Sequence, residues 1–136
     1  MASIHREMQI AADPAAVWDA VRDVGQIHRR LAPGFLTDCR LEGDSRIVTF
    51  GNGLVARELL VDIDDKARRL AWSVQGSARL THHHASMQIF SDGGGCRAVW
   101  IADLLPNEMA PAIAGMIEQG LAAMKRTLEA SPVRPE

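Results

Sequence analysis

The sequence contains no tyrosine, and aromatic residues make up only 4% of it: tryptophan at 18, 72 and 100 and phenylalanine at 35, 50 and 90. Without a phenol, every mechanism that needs one as acid, radical or nucleophile is excluded. Cysteine is nearly as scarce. Cys39 and Cys96 form no CxxC pair, so neither a disulfide framework nor a cysteine metal knuckle is expected, and both thiols read as small core residues in a reduced compartment. Basic runs are missing too. Lys+Arg number 15 against 17 Asp+Glu, for a formal net charge of -2, and no cluster is long enough to neutralise several phosphates, which excludes nucleic acid as the expected partner. No stretch approaches the roughly 18 apolar residues of a membrane span, and Met1 to Glu7 lack the apolar region of a signal peptide. The expectation is a cytoplasmic protein without membrane insertion.

What is present suffices for one domain. The 136 residues are 47% hydrophobic, and a chain of this size buries about two-thirds of its unfolded surface, enough for an independent core. No repeat or linker interrupts residues 1–130. Residues 131–136, with two prolines and no apolar period, read as a disordered tail.

Ile4 to Ala11 alternates as a strand. Asp13-Pro14 supplies an N-cap and a first helical residue, and Val17, Trp18 and Val21 follow as an apolar stripe. A short second helix is predicted from Gly25 to Leu31, before Pro33-Gly34. Strands are then predicted over 35–41, 46–50, 54–64, 69–75, 80–91 and 96–105. Gly43-Asp44, Gly51-Asn52-Gly53, Asp64-Asp65-Lys66, Gly76-Ser77 and Gly93-Gly94-Gly95 separate them as turns, the pattern of an antiparallel meander. Asn107 is placed to cap a long helix whose apolar positions Met109, Ile113, Met116, Ile117, Leu121, Met124 and Leu128 form one stripe. The fold class is therefore α+β: a curved seven-stranded antiparallel sheet wrapped around a C-terminal helix, with two short helices after the first strand.

Asp13-Pro-Ala-Ala-Val-Trp18 after the first strand, Glu58-Leu-Leu with Asp64-Asp65 behind it, Arg69-Leu-Ala-Trp72 and the final helix together resemble the START-like helix-grip superfamily. The similarity is to its polyketide cyclase/dehydrase and lipid-transport branch and covers Ile4 to Leu128. It implies an internal cavity between sheet and helix, with the loops 51–53 and 76–78 at the mouth.

Strand parity sorts cavity residues from outer ones. The inward sets are Phe35, Thr37, Cys39 and Leu41; Leu70, Trp72 and Val74; His83, Ala85, Met87 and Ile89; and Ala98, Trp100, Ala102 and Leu104. Residues 54–64 are ambiguous. Period favours Val55, Leu59, Val61 and Ile63 as the buried face, whereas the resemblance implies a carboxylate inside and so turns Glu58 inward. With Glu58 and His83 both inside, burial should perturb each pKa, the acid towards its neutral form and the imidazole towards its charged form. The two then serve either as general acid and base of a cyclase or dehydratase or as polar handles for a bound ligand. The adaptable side chains of Met109 and Met116, with Ile113, Ile117 and the vacant side-chain volume at Gly120, complete a hydrophobic wall. Alongside Trp72 and Trp100 they suit a flat or elongated ligand such as an aromatic polyketide, isoprenoid or lipid.

Three further features carry less. His82 and His84 share a face at a spacing of about 6.6 Å that allows chelation, but no third ligand lies near in sequence, so no metal is expected. Gly93-Gly94-Gly95 joins two strands with neither helix nor lysine after it, a hairpin turn rather than a phosphate loop, and no cofactor is expected. Phe90, Val99 and Ile101 fall on the outer face, where an apolar patch would make a homodimer contact.

Overall fold

A computed structural model describes residues 1–130, and the tail expected at 131–136 lies outside the described residues. The alternating segments become β1 (Ala2–Ile10), β2 (Leu36–Glu42), β3 (Ser45–Phe50), β4 (Val55–Asp64), β5 (Arg69–Gln75), β6 (His82–Asp92) and β7 (Gly95–Leu105). They form one antiparallel sheet in the order β1-β7-β6-β5-β4-β3-β2. Consecutive strands from β2 to β7 are neighbours because short turns allow nothing else. The exception is β1, which pairs with β7. The helices α1 (Pro14–Arg22) and α2 (Ile27–Arg30) carry the chain from that edge to the opposite one.

α1 begins as Asp13-Pro14 dictates, with Asp13 in extended conformation and Pro14 as first residue, although the Asp13 side chain makes no capping bond. Its stripe of Val17, Trp18, Ala20 and Val21 is buried. Trp18 Nε1–H donates to Asp65 Oδ1 at 2.9 Å, and Arg22 Nε–H donates to the same oxygen at 2.6 Å. One carboxylate thus ties α1 to the β4–β5 turn. The Arg22 guanidinium, followed by the Trp18 indole, holds the Asp65 carboxyl below the ordinary carboxylate range. Its stabilisation is present above the unfolded pKa and is lost as pH falls through the lower folded one. Asp65→Ala should lower the thermal midpoint by a few degrees at pH 7, and the gap from the unaltered protein should close in acid, as read by circular dichroism melts at both pH values.

The second helix is shorter than expected, one turn at Ile27–Arg30. Asn107 does not start the long helix either. Asn107–Met109 forms a separate 3-10 turn, and the helix α3 (Ala110–Ala130) follows, with Pro111 in its first turn, where a missing N–H costs nothing. The stripe on α3 buries Ile117, Gly120, Leu121, Ala123 and Met124. Polar bonds fix α3 along β1: Arg6 Nε–H to Glu118 at 3.0 Å, Lys125 Nζ–H to the Gln9 carbonyl at 2.8 Å, and the Ala11 amide to Glu129 at 2.8 Å. Pinned to one edge, the helix leaves space between itself and β3, β4 and β5.

Candidate functional site

That space is a cavity of about 800 Å³. Its walls come from α1 (Val21), α2 and the residue after it (Ile27, Leu31), the inner faces of β3 to β7, and the α3 stripe, while the segments from Asn52 to Val55 and Gln75 to Leu80 complete its lining. Four of the six aromatic residues stand in it: Phe35, Phe50, Trp72 and Trp100. They form two edge-to-face pairs, Phe35–Phe50 with centroids 5.5 Å apart and Trp72–Trp100 at 5.7 Å, the geometry that the aromatic quadrupole favours. Gly120 is the point where α3 meets both pairs. A Cβ there would lie 2.8 Å from Trp100 and 3.1 Å from Phe35. Alanine gains up to about 1 kcal/mol of helix propensity, but overpacking costs about 1–3 kcal/mol. Gly120→Ala should therefore be net destabilising in urea titrations and should alter the near-UV circular dichroism of the displaced Trp100.

The polar groups lie in a row across the sheet. Arg46 on β3 pairs with Glu58 on β4, and Glu58 with Val74 on β5. Val74 in turn faces His83 on β6, whose Nδ1 accepts the Val74 amide hydrogen at 3.1 Å. Arg46 Nε–H donates to Glu58 Oε1 at 2.8 Å, and both residues are buried, 3% and 7% exposed. The guanidinium also lies 5.6 Å from the centre of the Trp72 ring, a cation–π contact that partly offsets its desolvation. Burial, and then the charges of His84 and His82, push the His83 pKa down to about 4. The ring is therefore neutral at pH 7. With Nδ1 accepting, its hydrogen sits on Nε2.

The polyketide cyclase / dehydrase and lipid transport family model matches residues 1–129. The chain belongs to that family. No curated protein matches it in sequence. The solved structure of the protein XoxI from Bacillus cereus superposes with a TM-score of 0.85 at 19% identity, covering 96% of this chain and 97% of that one. The di-domain ARO/CYC BexL from the BE-7585A biosynthetic pathway gives 0.81 at 13%, over 97% of this chain and 48% of that one. A START superfamily protein from Mycobacterium smegmatis gives 0.71 at 13%, over 93% and 94%. At such identities these likenesses speak for the helix-grip fold.

Within this member of the family, Phe35, Glu58, Trp72, His83, Met87, Trp100, Met109, Ile113, Met116, Ile117 and Gly120 all line the cavity. Two expected residues do not. Thr37 is exposed, because a register shift between Leu36 and Asp38 resets the alternation and turns Leu36 inward in its place. Ala85 is buried in the core and falls outside the cavity wall. Leu41, also assigned inward, is 56% exposed at the end of the edge strand. In β4 the apolar period misleads: Val61 and Ile63 are exposed and outside the cavity wall, while Ala56 and Glu58 line it. Arg46, Val48 and Phe50 alternate on β3, a signal in the sequence that would have put Arg46 inside.

The expected proton exchange between Glu58 and His83 does not match the geometry. Val74 separates them, two strand spacings or about 10 Å between their Cα atoms, and each has another partner. The imidazole is held neutral rather than charged, since desolvation outweighs any pull from a distant carboxylate.

On the outer face, His84 borders a shallow groove with His5, Arg69 and Asp103. No group of three or more His, Cys, Asp or Glu side chains among the described residues is arranged to hold a metal ion. Burial pushes the thiols of Cys39 and Cys96 up, away from the reactive thiolate. Of the expected outer patch, Val99 is buried, Phe90 and Ile101 are half-buried, and all three line the groove beside His84, with the Arg97 guanidinium 4.8 Å from the centre of the Phe90 ring. No helix among the described residues is long and apolar enough to cross a membrane.

Proposed function

We propose that this domain binds a small hydrophobic molecule, flat or elongated, between its sheet and α3. The observation that carries this reading is the cavity itself: about 800 Å³, within the range of small-molecule sites, walled by apolar side chains and four aromatic rings, with a few polar groups at fixed positions. Trp72 and Trp100 offer ring faces for stacking, and Met109, Met116 and Met124 adapt to ligand shape. Glu58 and His83 act as polar handles rather than as a proton-transfer pair, because the acid is engaged by Arg46 and the imidazole by the Val74 amide.

A second reading, cyclase or dehydratase chemistry, draws support from one feature: His83 Nε2–H has no protein partner among the described residues and lines the cavity. It is suited to polarise a ligand carbonyl, with Glu58 as the acceptor for a proton from a different ligand atom.

Binding is tested with N-phenyl-1-naphthylamine, an uncharged dye that brightens in apolar surroundings. Saturable enhancement at one dye per chain is expected, with loss of at least tenfold in affinity for Met116→Trp, which fills the cavity from α3. Absence of saturable enhancement, or equal affinity in Met116→Trp, would refute the reading.

A further inference from the structure

The polar groups of the cavity discriminate by charge. Arg46 engages Glu58 Oε1 through Nε and the Val24 carbonyl through Nη1. Its Nη2 and the second carboxylate oxygen, Glu58 Oε2, make no hydrogen bond to any described residue. Neither is sealed off, since His28 Nδ1 is the one fully buried, unpartnered side-chain polar atom among the described residues. Both residues line the cavity, so its wall carries a guanidinium donor and a carboxylate acceptor that no described residue engages. The pair is neutral as a unit, and so is the buried His83; of the other ionisable residues lining the cavity among those described, Arg57 is exposed and paired with Glu42, and Arg79 is exposed on the loop between β5 and β6.

We infer that the ligand is electrically neutral and that its polar end carries an acceptor beside a donor, as a carboxamide or a hydroxy-ketone does. The inference rests on the reading of the cavity as a ligand site and adds what that site selects. An acceptor oxygen satisfies Arg46 Nη2, and an adjacent N–H or O–H satisfies Glu58 Oε2. A carboxylate at the same place puts a like charge against Glu58, and an ammonium puts one against Arg46. Either inserts a net charge beside a pair that is already internally neutralised, which is heavily penalised, and the unpaired cation of the lining among the described residues, Arg79, is exposed on its loop. A plain hydrocarbon leaves both polar atoms unpaired once it displaces water from them. Free fatty acids and other acidic amphiphiles are thereby disfavoured, and uncharged oxygenated ring systems favoured. Replacing Arg46 by lysine would not preserve this, because only the planar guanidinium serves Glu58, the Val24 carbonyl and a ligand at once.

Four probes of one shape test the inference: anthracene-2-carboxamide, anthracene-2-carboxylate, 2-(aminomethyl)anthracene and 2-ethylanthracene. Each is titrated at pH 7.5 against the unaltered protein, with tryptophan fluorescence and calorimetry as readouts. The carboxamide should bind at least tenfold more tightly than either charged analogue and more tightly than 2-ethylanthracene. In the Arg46→Met/Glu58→Leu double variant, an apolar pair of similar volume, the preference of carboxamide over 2-ethylanthracene should vanish. If the carboxylate or the ammonium binds within threefold of the carboxamide, or if the double variant keeps the carboxamide preference, the inference is overturned while cavity binding stands. If not even 2-ethylanthracene binds, the cavity reading falls and takes the inference with it. The ranking is read on the unaltered protein and so decides even where the double variant fails to fold.

Discussion

Arg46→Met should destabilise the domain by about 3–5 kcal/mol, and Glu58→Leu by a similar amount, because each leaves a buried charge without its partner. The two side chains are 4% and 10% exposed and 2.8 Å apart at their closest atoms. Removing both together should restore most of the loss, since the desolvation of two ions disappears along with their attraction. The expected coupling in a double-mutant cycle is then large, well above the few tenths of a kcal/mol by which distant sites depart from additivity. Urea denaturation at pH 7 of the four proteins measures it. Single substitutions costing under about 1 kcal/mol, the range of exposed pairs, would mean that the pair is solvated and that the cavity floor is not apolar. The prediction has functional weight because the same two residues carry the charge selection argued above.

The second large effect is a loss of stability in mild acid that depends on one histidine. With the His83 pKa near 4 in the fold against 6.5 in the unfolded chain, the sign follows from proton uptake. Above pH 6.5 neither state carries the proton, and the neutral ring imposes no penalty. As pH falls from 6.5 towards 4, the unfolded chain takes it up first, so stability is progressively lost, to a total on the order of 3 kcal/mol below pH 4. His83→Gln, whose side-chain oxygen can still accept the Val74 amide hydrogen, should remove that slope. The measurement is denaturant unfolding of both proteins at pH 7.5 and 4.5. Parallel losses in the two would show that His83 titrates as an ordinary exposed imidazole.

Much of this was legible in the sequence. Turn residues delimit the strands of the meander, and Asp13-Pro14 and the α3 stripe mark the longer helices, because these signals are local. Inner faces could be read where the alternation is unbroken, as in Leu70-Trp72-Val74 and Ala98-Trp100-Ala102. Thr37 was misplaced because the irregularity between Leu36 and Asp38 shifts the face by one residue, and such a shift depends on pairing with β3 rather than on β2 itself. β4 failed for a related reason. Its apolar residues Val61 and Ile63 are exposed and outside the cavity wall, and only the resemblance to the family turns Glu58 in the observed direction. What stabilises Glu58 inside is Arg46 on the neighbouring strand, and a cross-strand ion pair leaves no trace in the period of either strand alone. The charge state of His83 was likewise beyond reach, since it follows from burial and from the Val74 amide.

The central claim is that the cavity holds an uncharged hydrophobic molecule, and native mass spectrometry of the protein after exposure to an extract of its own host tests it most directly. One adduct per chain is expected, released on activation as a neutral small molecule and absent from Met116→Trp. Failure to capture any small molecule, or the same adduct at the same abundance on Met116→Trp, would contradict it.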